Sequence, residues 1–537
     1  MKYIDYTIFG ASGMDLFLAI VMMLITVAGL AFLSFNVLQA WQLGGYRLKE
    51  FKVWYKKYGY TVFFRYCFLS FLICLGCLMY ISALGDRAGW KYLGFAFFLV
   101  LGYIFFKIIH KNDVTPLKWT PRMWRLLCTC VVLYIILVLL FSFIPTGVVE
   151  YAHLGLLPLA IIPVVILADF INSPFEKSIQ RDYINKAKQK IAEIPHLKII
   201  GITGSYGKTT TKNILHSLLS THLKVCSSPA SFNTPMGICK TINNDLKHDD
   251  HVLILEMGAR YKGDILELLE IVEPHIVVIT SVGNQHIQTF GNYETVLATK
   301  LDILSKLPHD GVAVLDGTNM DIRAAATNMR QAILVGTDMD YVKSSNIVIH
   351  SGGTQFDLTV GNSTVTTSTQ LLGRHIPHLV ALSIAVANVM GFDLNQIVHQ
   401  IPSIAPVPHR MQLMPGSTDN IIIDNSYSSN LDGAKNALEV LSSYANFLKI
   451  IITPGIVEQG DLEEKTNTIL GTEIAKTCDY AILVGSKAPI IKKGIEQTNI
   501  HTTCISVENR AEAINALKDI SGKRVVLFEN DLPDNIK

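Results

Sequence analysis

A chain of 537 residues that is half hydrophobic and only 17% charged, with a mean hydropathy of +0.35, is too apolar for a wholly soluble enzyme. The formal net charge of +2 gives no case for nucleic acid as a partner. The nine cysteines show neither the spacing of a zinc site nor a disulfide framework.

Read in chain order, residues 1–173 form an α-helical membrane domain with about five spans. Apolar runs of about 20 residues, enough to cross a bilayer, fall at 14–35, 62–84, 92–109, 126–143 and 154–171. Only Lys2 precedes the first run, which is too long for a cleaved leader and has no small-residue cleavage site after it. Basic residues crowd the first loop (Arg47, Lys49, Lys52, Lys56, Lys57) and the third (Lys111, Lys118, Arg122, Arg125), whereas the fourth, PTGVVEYAH, has none. Cytoplasmic loops carry the Lys and Arg excess. The N-terminus is therefore expected outside, and everything after residue 171 in the cytosol of a bacterium's plasma membrane. Residues 174–196 read as a charged amphipathic connector along the membrane surface.

From residue 197 short apolar runs alternate with helical patterns: LKIIGIT, a helix over 212–221, VLILEMG, IVVITSV, a helix near 293–306, and GVAVLD. This predicts an α/β domain with a mainly parallel sheet over 197–405. The prolines of PSIAPVPHR (402–410) mark a hinge, and NIIIDN, KIIITPG, YAILVG and RVVLFEN predict a smaller α/β domain over 406–537.

The richest stretch is GITGSYGKTTT at 201–211. A strand, a glycine turn and a helix start hold phosphate, because backbone N–H groups point at an anion placed at the positive end of the helix. Gly204, Ser205, Gly207, Lys208, Thr209 and Thr210 are thus the candidate nucleotide residues; Lys208 reaches the terminal phosphates and Thr209 is poised for magnesium. Ile202 stands where a strict Walker A loop has glycine, so the short form TGSxGKT describes it better. Glu256, closing VLILE, lies where parallel sheets place ligands and suits a magnesium ion. His286, in a loop after the next strand, and Lys300, in the following helix, are ordinary when taken singly.

Together, TGSYGKTTTK, SFNTPMG, LEMGAR, NQHIQTFGNYETVLATK, LLGRH, PVPHRMQ and DNSYSSN, in that order, resemble the Mur ligase family, most of all its MurF branch, over about 197–537. The resemblance implies a central P-loop ATPase domain and a Rossmann-like C-terminal domain that closes over ATP. It implies amide formation: ATP phosphorylates a carboxylate, an amine attacks the acyl phosphate, and ADP and phosphate leave. It gives Lys208, His286 and Lys300 catalytic roles. Thr209, Glu256, His286 and a carbamylated Lys300 become the magnesium ligands, and Asn233, Arg410 and Asp424 further nucleotide residues, with Tyr427 and Asn430 in the same motif.

The chain departs from that pattern in three places. Ile376 and Leu379 replace asparagines that seat adenine. Asn425 stands where aspartate is common, and Leu431 where proline is. Ahead of the ATPase domain, spans stand where the family has a soluble domain gripping a uridine nucleotide. A membrane-anchored ligase is therefore expected, joining an amino acid or dipeptide to a cell-envelope carboxylate that is lipid-linked rather than a free nucleotide sugar. A capsule or poly-glutamate ligase is the alternative within the class. A nucleotide-gated transporter or sensor lacks its LSGGQ signature here, and a pseudoenzyme is favoured only by the departures at 376, 379 and 425.

Overall fold

The computed structural model describes residues 13–59, 62–68, 72, 116–142 and 152–530, apart from 230, 284–286, 328, 418, 428–429, 458 and 499. The chain divides into two compact units, one ending at Gln180 and the other running from Arg181 to Leu532.

In the first unit, helix Gly13–Leu33 breaks at Ser34 and resumes as Phe35–Leu43. The break has a local cause: the Ser34 hydroxyl bonds back to the Leu30 carbonyl at 2.7 Å, and such back-bonding bends helices. The Tyr66 hydroxyl donates to the Leu33 carbonyl beside it at 2.9 Å, and Tyr134 meets Ser34 at 2.5 Å. A helix then covers Pro121–Ser142, with proline at its first position, where its missing N–H costs nothing.

The 32-residue helix Ile161–Ala192 runs unbroken through Pro174, so the change of composition at 174 falls inside one helix and not between two elements. Among the described residues three stretches are long and apolar enough to cross a membrane, Met23–Leu43, Pro121–Phe141 and Leu156–Ala192, overlapping three of the five expected spans. The runs at 62–84 and 92–109 lie outside the described residues except for 62–68 and 72.

In the second unit, nine strands form one sheet: β1 Lys198–Thr203, β2 Val225–Ser227, β3 Val252–Glu256, β4 Ile276–Ile279, β5 Val312–Asp316, β6 Ala332–Val335, β7 Val342–His350, β8 Gly353–Val360 and β9 Ser363–Thr369. The order is β2-β3-β1-β4-β5-β6-β7-β8-β9, parallel through β7 and antiparallel from there. The strands β1, β3 and β4 are apolar runs because helices cover both faces of this part of the sheet. On one face the apolar helix Ile376–Val389 packs against helix Lys208–Leu219, joining a core with Ile200, Ile202 and Val314. The other face buries Ile199, Leu253, Leu255, Val277 and Ile279.

The second sheet, built from β10 Gln412–Ser417, β11 Asn420–Asn425, β12 Leu448–Thr453, β13 Tyr480–Val484, β14 Thr503–Val507 and β15 Arg524–Glu529, has the order β10-β11-β15-β12-β13-β14. All its pairings are parallel except β10 with β11. Arg374 of the first sheet's domain bonds Glu439 of the second at 2.7 Å, and the Tyr444 hydroxyl donates to the Ser351 carbonyl at 2.6 Å.

Candidate active site

The strand order turns about β1: the chain goes to β3 and β2 on one side and to β4 on the other, the switch point at which open α/β sheets take ligands. The glycine loop leaves the carboxyl end of β1 there. Gly204, at φ 147°, and Gly207, at φ 80°, adopt backbone angles that side chains resist, and Gly207 caps the helix that begins at Lys208. Residues following β4 brace the loop. Ser205 N–H donates to the Ser281 carbonyl at 2.8 Å, its hydroxyl to the Gly283 carbonyl at 3.1 Å, and Tyr206 N–H to the Ser281 hydroxyl at 3.0 Å. These braces escaped the sequence reading, although their place just beyond a parallel strand was the available signal.

Lys208 folds back on its own loop, donating to the carbonyls of Gly204 at 2.7 Å and Ser205 at 3.2 Å. Burial, with Arg410 adding to it and Glu256 opposing, pulls its pKa down to about 8, so the ammonium persists at neutral pH. Thr209 and Thr210 are buried on the first turn. The Thr209 hydroxyl donates to Glu256 Oε2 at 2.8 Å, and Asn233 Nδ2 donates to Oε1 of the same carboxylate at 3.2 Å. Glu256 is only 2% exposed. The pair supplies hard oxygen donors of the kind a magnesium ion takes.

Lys212, one turn on and 1% exposed, donates to the Ser228 carbonyl at 2.5 Å and secures the start of the loop that carries Asn233. The sequence reading passed over it, since a helix lysine normally faces water.

Lys300 is buried as well, at 2% exposure, with its ammonium 5.9 Å above the centre of the Phe290 ring. Burial first and the charge of Lys208 second bring its pKa down to about 7, against the pull of Asp264 and Glu256. A free amine is the nucleophile that attacks carbon dioxide, so the site suits carbamylation. His286 lies outside the described residues. Among the described residues no group of three or more His, Cys, Asp or Glu is placed to hold a metal.

From the hinge, Arg410 reaches into this cluster and donates to the Thr209 hydroxyl at 3.1 Å, its guanidinium 4.5 Å above the Tyr427 ring. It stands between two non-glycine residues in left-handed conformation, His409 at φ 61° and Met411 at φ 47°, each costing about 1–2 kcal/mol. Asp424, expected at the nucleotide, braces this bend: it bonds His409 Nδ1 at 2.7 Å and the Ser426 hydroxyl at 2.6 Å. Although burial opposes it, these bonds hold its carboxyl below the usual range.

His375, in the LLGRH segment, has a buried Nδ1 with no hydrogen-bond partner among the described residues. Burial, then His378 and Arg410, push its pKa down to about 4, so it is neutral at physiological pH.

Two of the sequence departures have structural explanations. Ile376 and Leu379, each 4% exposed, belong to the core beneath the loop, and a Leu379 methyl lies 2.8 Å from where a Cβ on Gly207 would stand. Neither offers a polar atom to a base. Asn425 accepts from Met411 N–H at 3.2 Å and donates to Glu529 Oε2 at 2.8 Å. An ionised aspartate there could accept but not donate. Leu431 opens helix Leu431–Ser442, capped by the Asn430 side chain.

A family profile described as Mur ligase middle domain matches residues 202–387, and one described as Mur ligase, glutamate ligase domain matches 409–529. The UDP-N-acetylmuramoyl-tripeptide--D-alanyl-D-alanine ligase of Bacillus subtilis (strain 168) is 28% identical over 335 residues, 62% of this chain and 72% of that relative. The ligase of the same name from Mycobacterium tuberculosis (strain ATCC 25618 / H37Rv) is 30% identical over 263 residues, 47% of this chain and only 50% of that relative. In structure the chain is similar to MurF ligase from Thermotoga maritima in complex with ADP, with a TM-score of 0.59 and 24% identity, covering 66% of this chain and 80% of that one, a likeness of fold. The chain belongs to the Mur ligase family, as an ATP-dependent ligase of the MurF-like branch.

Proposed function

We propose that this protein is a membrane-anchored ligase of a bacterial cell envelope that joins an amino acid or dipeptide to a carboxylate carried on a membrane lipid, with ATP and magnesium. The observation that carries the reading is the convergence of Glu256 and Arg410 on Thr209 of the Lys208 loop, with the buried Lys300 within electrostatic reach of Lys208 and Glu256, in a chain whose preceding residues include three apolar helices long enough to cross a bilayer.

ATP lies along the loop, its phosphates at the N-terminus of helix Lys208–Leu219. Lys208 leaves the Gly204 and Ser205 carbonyls for the phosphates, and its pKa near 8 keeps it cationic as charge develops. The acceptor carboxylate attacks the terminal phosphorus, ADP departs, and the amine then displaces phosphate from the acyl phosphate. Arg410, brought from the C-terminal domain to Thr209, adds a second cation and helps keep water from the acyl phosphate.

The neutral amine of Lys300 attacks carbon dioxide and releases a proton, leaving a carbamate anion on the side chain. Magnesium, held by Thr209, Glu256, that carbamate and His286, would neutralise phosphate charge. Asn233 and the other loop residues orient Glu256 for this task.

The proposed orientation, with both catalytic domains cytosolic, draws support from the helix ends of the first unit. Gln42 exchanges bonds of 2.7 and 2.8 Å with the Lys118 backbone, Arg122 lies 3.7 Å above the Tyr46 ring, and Arg125 pairs with Glu176 at 2.6 and 2.9 Å. These contacts bring the basic first and third loops to one end of the helices. A lipid-borne acceptor gains from this tether, since confinement to the membrane raises its effective concentration.

The test compares the full-length protein in proteoliposomes on UDP-linked and on lipid-linked muramoyl-peptide acceptors. Higher kcat/KM on the lipid-linked acceptor is expected. Turnover of the UDP-linked acceptor alone would refute the membrane-linked assignment while leaving the ligase chemistry intact.

A further inference from the structure

We infer that Asn425 is a positioning residue, which sets Arg410 on the phosphate loop through the backbone of Met411. The inference rests on the ligase reading above and concerns a position where this chain departs from its family's usual aspartate.

Arg410 is useful only if the chain bends sharply on both sides of it. His409 and Met411 adopt left-handed angles of 61° and 47°, which a histidine and a methionine do not hold unaided. Each is held by a carbonyl-bearing side chain from the end of β11. Asp424 takes the His409 ring nitrogen at 2.7 Å, and the Asn425 amide oxygen takes Met411 N–H at 3.2 Å.

Asn425 is in turn fixed by two contacts to the end of β15. Its Nδ2 donates to Glu529 Oε2 at 2.8 Å, and its own carbonyl accepts from Asn530 N–H at 3.0 Å. Glu529 is 1% exposed. The chain of contacts therefore runs from a buried carboxylate, through an amide that donates on one side and accepts on the other, to the strained bend and the arginine, and ends at Thr209 3.1 Å away.

A neutral amide performs both tasks. An ionised aspartate would have no proton to donate to Glu529, so in this chain Asn425 and Glu529 form a matched pair. Among the described residues Asn425 makes no hydrogen bond to the loop or to Thr209, and its effect passes through Arg410.

The test is a double-mutant cycle on the full-length protein, with Asn425→Ala, Arg410→Ala and the double variant, reading kcat for ATP hydrolysis or ligation and, separately, the Kd of ADP. Asn425→Ala should lower kcat at least tenfold while the ADP Kd moves less than threefold, because the phosphate loop keeps its own braces. On the Arg410→Ala background the same change should have no further effect on kcat. Asn425→Asp should be at least as damaging as Asn425→Ala. Independent, multiplying losses in the double variant would overturn the inference, as would an unchanged kcat in Asn425→Ala. A wild-type protein without ATP turnover would instead refute the ligase reading.

Discussion

The Thr209 hydroxyl stands between two charged side chains from different parts of the chain, donating to Glu256 at 2.8 Å and accepting from Arg410 at 3.1 Å. One residue of the phosphate loop thereby reports the place of the acidic strand end and the approach of the C-terminal domain. The Arg410 guanidinium thus reaches the first turn of the helix that follows the glycine loop.

Arg410→Lys should not restore what Arg410→Ala loses. A lysine cannot spread over the Tyr427 ring, which lies 4.5 Å from the guanidinium carbon, and it lacks the planar fork. Both variants are expected to lose at least tenfold in kcat, measured by phosphate release at saturating ATP. Lysine activity within threefold of wild type would show that charge alone suffices.

Lys208→Ala should reduce ATP turnover by about 10²–10³-fold, the usual effect of deleting one preorganised charge from a transition state. The fold should persist, since among the described residues Lys208 bonds only the loop carbonyls of Gly204 and Ser205. Circular dichroism and a melting curve verify the fold, and coupled-enzyme kinetics verify the loss.

Lys300 makes a pH-dependent prediction of definite sign. Its pKa is about 7 when folded and returns toward 10.5 when unfolded, so unfolding takes up a proton between those values. In carbon dioxide-free buffer, stability should rise with pH through that interval, and Lys300→Met should flatten the rise. Activity should fall below about pH 7, where the amine is protonated and cannot take up carbon dioxide. Lys300→Ala should be inactive and partly rescued by short carboxylic acids, which supply the missing anion. Denaturant titrations across pH and rescue kinetics are the two readouts.

Leu379→Asn, the change toward the family's usual residue, should destabilise the protein without improving ATP binding. Leu379 is 4% exposed and packs under Gly207, so an asparagine there loses apolar contacts and buries an unpaired amide. A cost of about 2–5 kcal/mol is expected from chemical denaturation. A lower KM for ATP at unchanged stability would contradict this placement.

The phosphate loop was legible because its signal is local: an apolar strand, two glycines and a lysine at a helix start. Glu256 was legible for the same reason, as the last residue of a strand. The burial of Lys212 and Lys300 was not legible, because a helix lysine is usually solvated and only the packing of neighbouring elements shows otherwise. The antiparallel ribbon β7–β9 also escaped notice. Its strands are rich in Ser and Thr, and β9 reads STVTTST, too polar for a signal built on apolar runs. The departures at Ile376, Leu379 and Asn425 looked like lost nucleotide contacts in the sequence. In the fold the first two are core residues, and the third is a paired brace whose partner, Glu529, lies 104 positions away.

The central claim, amide formation through an acyl phosphate, is tested most directly by isotope transfer. Acceptors labelled with ¹⁸O in the terminal carboxylate, UDP-linked and lipid-linked muramoyl-tripeptide, would be incubated with ATP, magnesium, D-alanyl-D-alanine and the full-length protein. The released phosphate would then be read by mass spectrometry. An acyl phosphate predicts one ¹⁸O atom in each phosphate formed with product. Phosphate that carries no label while peptide is joined, or ATP hydrolysis that neither acceptor nor dipeptide stimulates, would contradict it.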